Sequence, residues 1–251
     1  MFRVEQRGAV AVVEMTHGKA NAVDMDLCRG TVEQFAALRA SAAKAVVLTG
    51  SGSIFSAGVD LLKVLDGGAD YVRPFLKALD DLLETLFLFP KPLVAAVNGH
   101  AIAGGCIISC AADRRIMARG GGRIGVPELL VGVAFPVVPL EVVRFAVSPE
   151  YFADIVYSGA TYGPEEALRR GIVDELAEPA ELLPRAIAEA ERLAAIPAAA
   201  FELTKAQMRE PAVETMRRRR AQLDAPIAEY WTNPSTLTEI RGYVERTLKK
   251  K

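Results

Sequence analysis

Apolar residues are densest in residues 91–113, and the patterns on either side are arranged around this stretch. The apolar run at 93–97 has the length of a buried strand, and a second apolar run follows the small-residue turn at 103–105. Before it, an amphipathic pattern typical of a helix is stopped by Pro90 and Pro92. The pattern therefore predicts a strand, a glycine turn and the N-terminus of a buried helix at the centre of the chain.

The rest of the chain to residue 195 mixes strand-like and helix-like patterns. The predicted strands are 2–6, 10–15, 45–49, 93–97, 115–118 and 171–174, and the predicted helices are 24–39, 72–89, 149–157, 164–170 and 182–193. Residues 61–71, with Gly67-Gly68 and sparse apolar periodicity, are predicted to be a mobile loop over a site. Strand–helix units that each end in a glycine turn predict an α/β fold built as a ββα spiral.

After residue 195 the chain becomes helical and more strongly charged, with predicted helices at 198–208, 213–231 and 236–248. We therefore divide the chain into a core, residues 1–195, and a C-terminal helical segment, residues 196–251. Several apolar side chains of this segment would be poorly covered in a monomer, which predicts contacts with neighbouring subunits. They are Met208, Met216, Leu223, Ile227 and Trp231.

Composition narrows the classes of protein. The apolar runs are too short for a membrane span, which needs about 20 residues, and the N-terminus lacks the apolar core of a signal peptide. We expect a cytoplasmic protein with no membrane partner. The formal charge of −1 gives no general attraction for nucleic acid. For the basic run at 217–220, a solvated helix face or subunit contact is favoured over a polyanion site.

Cysteine spacing and one glycine motif leave further alternatives. Three cysteines without an export signal argue against a disulfide framework. Cys106 and Cys110 would share a helix face, but a zinc site lacks obvious further ligands in a chain with two histidines, so buried thiols and no metal are expected. Residues 120–125 match G-x-G-x-x-G, but Val126-Pro127 follows directly, which favours a flexible connection over a dinucleotide site.

Two glycine turns carry the clearest chemical signal. Gly104 and Gly105 open the predicted buried helix, and Gly58 lies in a second turn that follows the strand at 45–49. A helix that begins at Gly104 leaves its first N–H groups unpaired at the positive end of the helix dipole. The absent Cβ lets a ligand approach these groups closely. An anion or a developing oxyanion is therefore the predicted guest.

The sequences of these two turns resemble those of a known family. FSAGVDL at 55–61 and NGHAIAGGC at 98–106 resemble the two oxyanion-hole segments of the crotonase family, the enoyl-CoA hydratases and isomerases. The resemblance implies a crotonase-like ββα spiral core and a C-terminal segment that makes trimer contacts, so we expect a homotrimer or a dimer of trimers. It also implies an acyl-CoA thioester substrate, with coenzyme A as part of the substrate and no separate cofactor.

The matched motifs also assign roles to residues. By position, the oxyanion donors are the N–H groups of Val59 and Gly104. The same turns supply substrate-binding positions at Ala57, Gly58 and Gly105.

A loop that ends in an Asn-Ala pair lies near the coenzyme A adenine in this family, and Asn21-Ala22 fits that pattern. Asn21 could equally cap the helix that follows. Lys63, Lys205 or a C-terminal lysine of another subunit are candidates to meet the coenzyme A phosphates. We expect Asp60 to fix its turn and Asp113 to anchor nearby backbone.

The family's hydratases resemble one another in using two glutamates. The first of these positions is Ile107 here, an apolar residue that we expect to face the substrate, and the second is Glu128 in PELLVG at 127–132. One carboxylate beside an oxyanion hole is enough to move a proton from C2 to C4. The resemblance thus implies a Δ3,Δ2-enoyl-CoA isomerase that acts through Glu128.

Alternatives remain open for the activity and for the base. The chain could be a weak hydratase or an acyl-CoA-binding protein without catalysis, and Glu128 could be a structural carboxylate. His100 could act as a base, although a histidine in a glycine turn is more often a hydrogen-bonding spacer.

Overall fold

The structure is a computed structural model that describes residues 1–247. The strands are β1 (Phe2–Arg7), β2 (Val10–Met15), β3 (Ala45–Gly50), β4 (Ile54–Ser56), β5 (Leu93–Val97), β6 (His100–Ile102), β7 (Arg114–Ala118), β8 (Ile124–Gly125), β9 (Thr161–Tyr162) and β10 (Glu175–Ala177). The helices are α1 (Met25–Ala40), α2 (Leu61–Phe87), α3 (Gly104–Cys110), α4 (Glu128–Val131), α5 (Val137–Ala146), α6 (Pro149–Ser158), α7 (Pro164–Arg169), α8 (Leu182–Ala194), α9 (Ala198–Thr232) and α10 (Pro234–Thr247).

The larger sheet has six strands in the order β1-β2-β3-β5-β7-β10. Its first pair, formed by two predicted strands, is an antiparallel hairpin, and the remaining pairs are parallel. The Val- and Ala-rich strands β3 and β5 are buried at every position. Such continuous apolar runs are typical of strands covered on both faces. The main core lies on one face, and a smaller cluster beneath α8 covers the other.

A second, smaller sheet has the order β4-β6-β8-β9. Strands β4, β6 and β8 run parallel to one another, so their carboxyl ends meet at one edge. The chain leaves that edge three times: at 57–59, at 103–105 and at 126–128. This sheet was not predicted from the sequence, because its strands are only two or three residues long.

Three local predictions were wrong. Residues 61–71 form the first part of α2, capped by the Asp60 carboxylate and bent at Gly68, whose φ is 53°. Helix α9 continues through Pro211 and Pro226, so the predicted gap before residue 213 does not exist. The last strand is β10, because 171–174 forms a turn before it.

The C-terminal helices pack onto their own chain. Met216, Trp231, Ile240 and Val244 are buried in the same cluster as the sheet residues, so Met216 and Trp231 do not need a neighbouring subunit to cover them. Other apolar side chains of the segment remain exposed, including Met208 at 64% and Leu223 at 41%. The predicted end of the last helix at residue 248 and the C-terminal lysines lie outside the described residues. The domain boundary and the trimer stay predictions.

Asp113 fixes helix α9 to the rest of the fold. Its carboxylate accepts hydrogen bonds of 2.8 Å from the Leu93 N–H, from Lys205 Nζ and from Arg209 Nη2. Arg209 also donates to the carbonyls of Phe87 and Ala111. The predicted anchoring role of Asp113 is confirmed. Lys205 is also held in this network, and its suggested contact with coenzyme A phosphates stays a prediction.

Among residues 1–247, no helix has both the length and the apolar character that a membrane crossing requires. Two arginines of the basic run form ion pairs within the chain. Arg219 lies 3.2 Å from Glu141, and Arg220 lies 2.8 Å from Glu84.

Candidate active site

The first turn at the carboxyl edge of the smaller sheet is held by a neighbouring loop. The Val23 N–H donates to the Gly58 carbonyl at 2.8 Å, and the Asp60 N–H donates to the Val23 carbonyl at 3.0 Å. This pairing passes over Val59, whose own N–H has no hydrogen-bond partner within residues 1–247. Gly58 has a φ of 83°, a conformation that favours glycine. The turn therefore presents the Val59 N–H as a free donor.

The second turn is the start of α3. The Ala103 N–H donates to the Gly125 carbonyl at 2.8 Å, which ties this turn to β8. As the first residue of the helix, Gly104 has no acceptor for its N–H within α3, and no other described residue supplies one. Ala103 has a φ of 52°, so the helix begins from a strained residue. Such strain is found most often at functional sites.

The two turns lie against each other. A Cβ added to Gly58 would lie 3.2 Å from the Gly104 nitrogen, and one added to Gly104 would lie 3.7 Å from Val59 Cγ2. The structure therefore brings Val59 and Gly104 together, with Ala57, Gly58 and Gly105 around them. Their role as oxyanion donors stays a prediction.

Gly105 is required for this close approach. A Cβ on Gly105 would overlap the carbonyl oxygen of Ser56, whereas a Cβ on Gly104 would have its nearest neighbour at 3.5 Å. We expect Gly105→Ala to destabilise the protein by about 1–3 kcal/mol, the usual range for overpacking. Gly104→Ala is the matched control and should cost less than about 1 kcal/mol. Urea unfolding of both variants measures the difference, and equal midpoints would contradict this packing.

The third segment carries Glu128, the first residue of α4. Its side chain is buried, with 7% of the residue exposed, and Oε2 has no hydrogen-bond partner within the described chain. No cation pairs with Glu128 among residues 1–247, so burial raises its pKa to about 8. A buried carboxylate without a partner is costly for stability. The alternative of a structural, salt-bridged carboxylate is therefore disfavoured.

The C-terminal part of the same chain covers this third segment. Trp231 Nε1 donates to the Ala134 carbonyl at 2.7 Å, and Tyr230 Oη donates to the Gly132 carbonyl at 3.3 Å. Helix α10 packs against α4. Burial, and after it the charge of Glu128, raises the pKa of Tyr243 in α10. No local sequence signal links Tyr243 to residue 128, so it was not among the predicted site residues.

Asn21 and Ala22 lie in the loop that holds the first turn. The Asn21 side chain accepts from the His17 N–H at 2.8 Å and donates to the Phe55 carbonyl at 3.0 Å. Its φ of 47° is left-handed. The suggestion that Asn21 caps α1 was wrong, because the carboxylate of Asp24 accepts from the Leu27 N–H. Contact between Asn21-Ala22 and a coenzyme A adenine stays a prediction.

Asp24 also carries a cluster of charged partners that the sequence analysis missed. Lys63 Nζ lies 2.6 Å from its carboxylate, and His17 Nε2 lies 2.8 Å from it. Burial opposes ionisation of Asp24, but the Leu27 N–H, Lys63 and His17 together lower its pKa. Asp24 directly precedes the apolar pattern of α1, a common signature of an N-cap that could have identified it.

Ile107 and His100 differ in their relation to the site. Ile107 is buried in the main core, in the helix that starts at Gly104. His100 is exposed in β6, and its Nδ1 accepts from the Arg123 N–H at 3.3 Å. This bond fits the hydrogen-bonding spacer, and it gives no support for His100 as the base. The three cysteines are free and buried, as predicted.

A groove of about 820 Å³ lies between α1 and α2, and none of the predicted site residues lines it. The candidate active site is located by the free N–H groups and by Glu128. The volume of a pocket does not locate it.

Comparisons with known proteins show which family the chain resembles. The family model described as enoyl-CoA hydratase/isomerase matches residues 5–249. A short-chain-enoyl-CoA hydratase of Clostridium acetobutylicum is 31% identical over 210 residues, which cover 80% of this chain and 78% of that protein. The mouse mitochondrial enoyl-CoA delta isomerase 1 is 25% identical over 254 residues, which cover 100% of this chain and 88% of that protein.

A solved structure shows the same fold over the whole chain. The human mitochondrial Δ3,Δ2-enoyl-CoA isomerase superposes with a TM-score of 0.93 at 28% identity, covering 100% of this chain and 99% of that one. The predicted crotonase-like fold is confirmed. The chain belongs to the enoyl-CoA hydratase/isomerase family, the crotonases.

Proposed function

We propose that this enzyme is an enoyl-CoA isomerase that converts 3-enoyl-CoA to 2-enoyl-CoA. The observation that carries the proposal is the pair of positions 107 and 128, of which only the second holds a carboxylate. Ile107 is buried at 3% exposure, and Glu128 has no charged partner within the described chain. A single base can transfer a proton between two carbons, whereas hydration also needs a water molecule to be held and activated.

The proposed reaction moves one proton. The Glu128 carboxylate removes a proton from C2 of the 3-enoyl thioester, and the electron pair delocalises through C3–C4 and onto the thioester oxygen. The N–H groups of Val59 and Gly104 hold that oxyanion, each worth on the order of 3 kcal/mol. The protonated Glu128 then returns the proton to C4, which leaves the double bond between C2 and C3 and regenerates the carboxylate.

The apolar surroundings of Glu128 suit this task. Burial raises the pKa of Glu128 to about 8, which makes its carboxylate a stronger base than an exposed glutamate. Val126, Val131 and Phe135 are buried in the same core cluster as Ile107. Exclusion of water by such side chains would favour return of the proton over addition of water to the double bond.

The test uses two substrates and follows the conjugated thioester chromophore. We expect 3-enoyl-CoA to gain the chromophore in the presence of the enzyme and 2-enoyl-CoA to keep it. A hydratase would consume the chromophore of 2-enoyl-CoA, and a binding protein would change neither substrate. Either of these results would overturn the proposal.

The pH dependence of isomerisation should report the unusual carboxyl group. Because the base must be ionised and its pKa is about 8, we expect kcat/KM to rise about tenfold per pH unit below pH 8 and to level off above it. Initial rates between pH 5.5 and about 9.5 measure this profile. A profile already flat from pH 5.5 upward would mean that the base has the pKa of an ordinary glutamate.

A further inference from the structure

A second pocket lies away from the candidate active site, between the start of β7, the end of α5 and the first half of α9. Its volume is about 260 Å³, and neither Glu128 nor any residue of the two glycine turns lines it. Lys205, a suggested contact for the coenzyme A phosphates, is one of its lining residues. This volume is slightly below the range of about 300–1,000 Å³ that is typical of pockets for drug-sized ligands. The pocket is therefore suited to a small ligand.

The charged side chains that line this pocket are mostly cationic, and one of them, Arg115, is paired with Asp174 at 2.7 Å. Four cationic side chains line it, and Asp113 is its one lining carboxylate. Lys205 and Arg209 share that carboxylate at 2.8 Å each. Because burial disfavours its charged form and one shared carboxylate only partly offsets this, the pKa of Lys205 falls to about 8. A bound anion would offset this cost.

Two of the cations retain free donors. Lys205 Nζ has two acceptors for its three N–H groups, namely Asp113 and the Lys91 carbonyl. The Arg114 guanidinium makes no hydrogen bond within residues 1–247. Its buried Nε lies 3.4 Å from Glu189 without hydrogen-bond geometry, and its Nη1 lies 3.9 Å from Asp174. Glu189 is itself bonded to Arg192 at 2.8 Å. Lys205 and Arg114 can therefore accept a further anion.

The other walls of the pocket are apolar, formed by Phe145, Leu193, Phe201 and Met208. Phosphate would pair with the cations but would leave these walls uncovered. An aliphatic chain would bury apolar surface against them, at about 25 cal/mol per Å². We propose that this pocket is a second binding site, for a short aliphatic carboxylate whose charged end pairs with Lys205 and Arg114.

Calorimetric titration of the full-length enzyme with hexanoate tests the proposal. We expect saturable binding, and hexanol, which has the same chain without the charge, should not bind. Since the carboxylate would stabilise protonated Lys205, binding near pH 8 should take up protons. Titrations in two buffers with different ionisation enthalpies measure this uptake. Equal binding of hexanol, or binding of inorganic phosphate with the same affinity, would overturn the proposal.

Variants at the rim separate this pocket from the candidate active site, which hexanoate could also enter. Thr204 lines the rim and is exposed, so Thr204→Phe should fill the pocket and weaken hexanoate binding at least about tenfold. Leu203→Phe is the control, because Leu203 is exposed on the same helix but does not line the pocket. Arg114→Gln should also weaken binding. Unchanged affinity in both Thr204→Phe and Arg114→Gln would place the hexanoate elsewhere and refute the site.

Discussion

Glu128→Gln should reduce the turnover of 3-enoyl-CoA by about 10³-fold or more, because the amide cannot accept a proton from C2. Binding of an acyl-CoA should change little, since the backbone N–H groups of Val59 and Gly104 are untouched. Steady-state kinetics should therefore show a large fall in kcat. A binding titration with a saturated acyl-CoA should give a nearly unchanged Kd. Glu141→Gln is a suitable control, because Glu141 is also buried but pairs with Arg144 and Arg219.

The same variant, which should lose turnover, should gain stability. The pKa of Glu128 is raised from 4.5 to about 8 in the folded state. The wild-type protein therefore loses stability as pH rises through this window, and Glu128→Gln does not. We expect the variant to be more stable by up to a few kcal/mol at pH 8, and the difference to shrink toward pH 5. Urea unfolding at both pH values measures it.

Two results would contradict these expectations. Turnover at the wild-type rate in Glu128→Gln would show that another group is the base. A stability difference that did not change between pH 5 and pH 8 would show that Glu128 is solvated in the folded protein. The first result bears on the mechanism and the second on the burial of the side chain, so one can fail without the other.

Asp113→Asn should be among the most destabilising single substitutions in the chain. It leaves the charges of Lys205 and Arg209, both under 10% exposed, without their shared carboxylate. Removal of one partner from a buried ion pair typically costs about 3–5 kcal/mol, because the remaining charge stays buried and unpaired. Urea unfolding at constant pH measures this loss.

Two further variants make this test specific. Asp81→Asn removes an exposed partner of Lys77 and should cost less than about 1 kcal/mol. Adding Lys205→Met to Asp113→Asn should recover part of the lost stability, because one unpaired buried cation disappears. Lys205→Met alone gives the cost of the lysine substitution. If the double variant were less stable than Asp113→Asn by that whole amount, the two residues would not be coupled by their charges.

Local patterns were sufficient to predict the centre of the fold. The strand predicted at 93–97 matches β5, and the small-residue turn leads into α3 at Gly104. Both could be predicted because the apolar run and the glycines that determine them are adjacent in sequence. The region at 61–71 shows the limit of such patterns. Gly67-Gly68 suggested a loop, but the Asp60 cap and the buried Val64 hold a helix there, with the bend confined to Gly68.

The environment of the proposed base could not be predicted locally. Glu128 lies among apolar neighbours in sequence, but its cover comes partly from α10, far along the chain. The smaller sheet that aligns the three turns pairs strands of two or three residues across long separations. Such strands carry too few residues for a periodic signal. The predicted site residues came from the family resemblance of two separated motifs, a comparison that single-sequence periodicity does not make.

The parallel strands β4, β6 and β8 bring two kinds of group to the candidate site, backbone N–H groups and one side-chain carboxylate. The first two strands deliver peptide N–H groups, which a side-chain substitution does not delete, whereas the third delivers one carboxylate. Under the proposed function, the fold itself supplies the groups that recognise a thioester, and a few exchangeable side chains set the fate of the enolate. A scaffold of this kind can acquire a new reaction through one or two substitutions, because its backbone N–H groups continue to bind the activated acyl group.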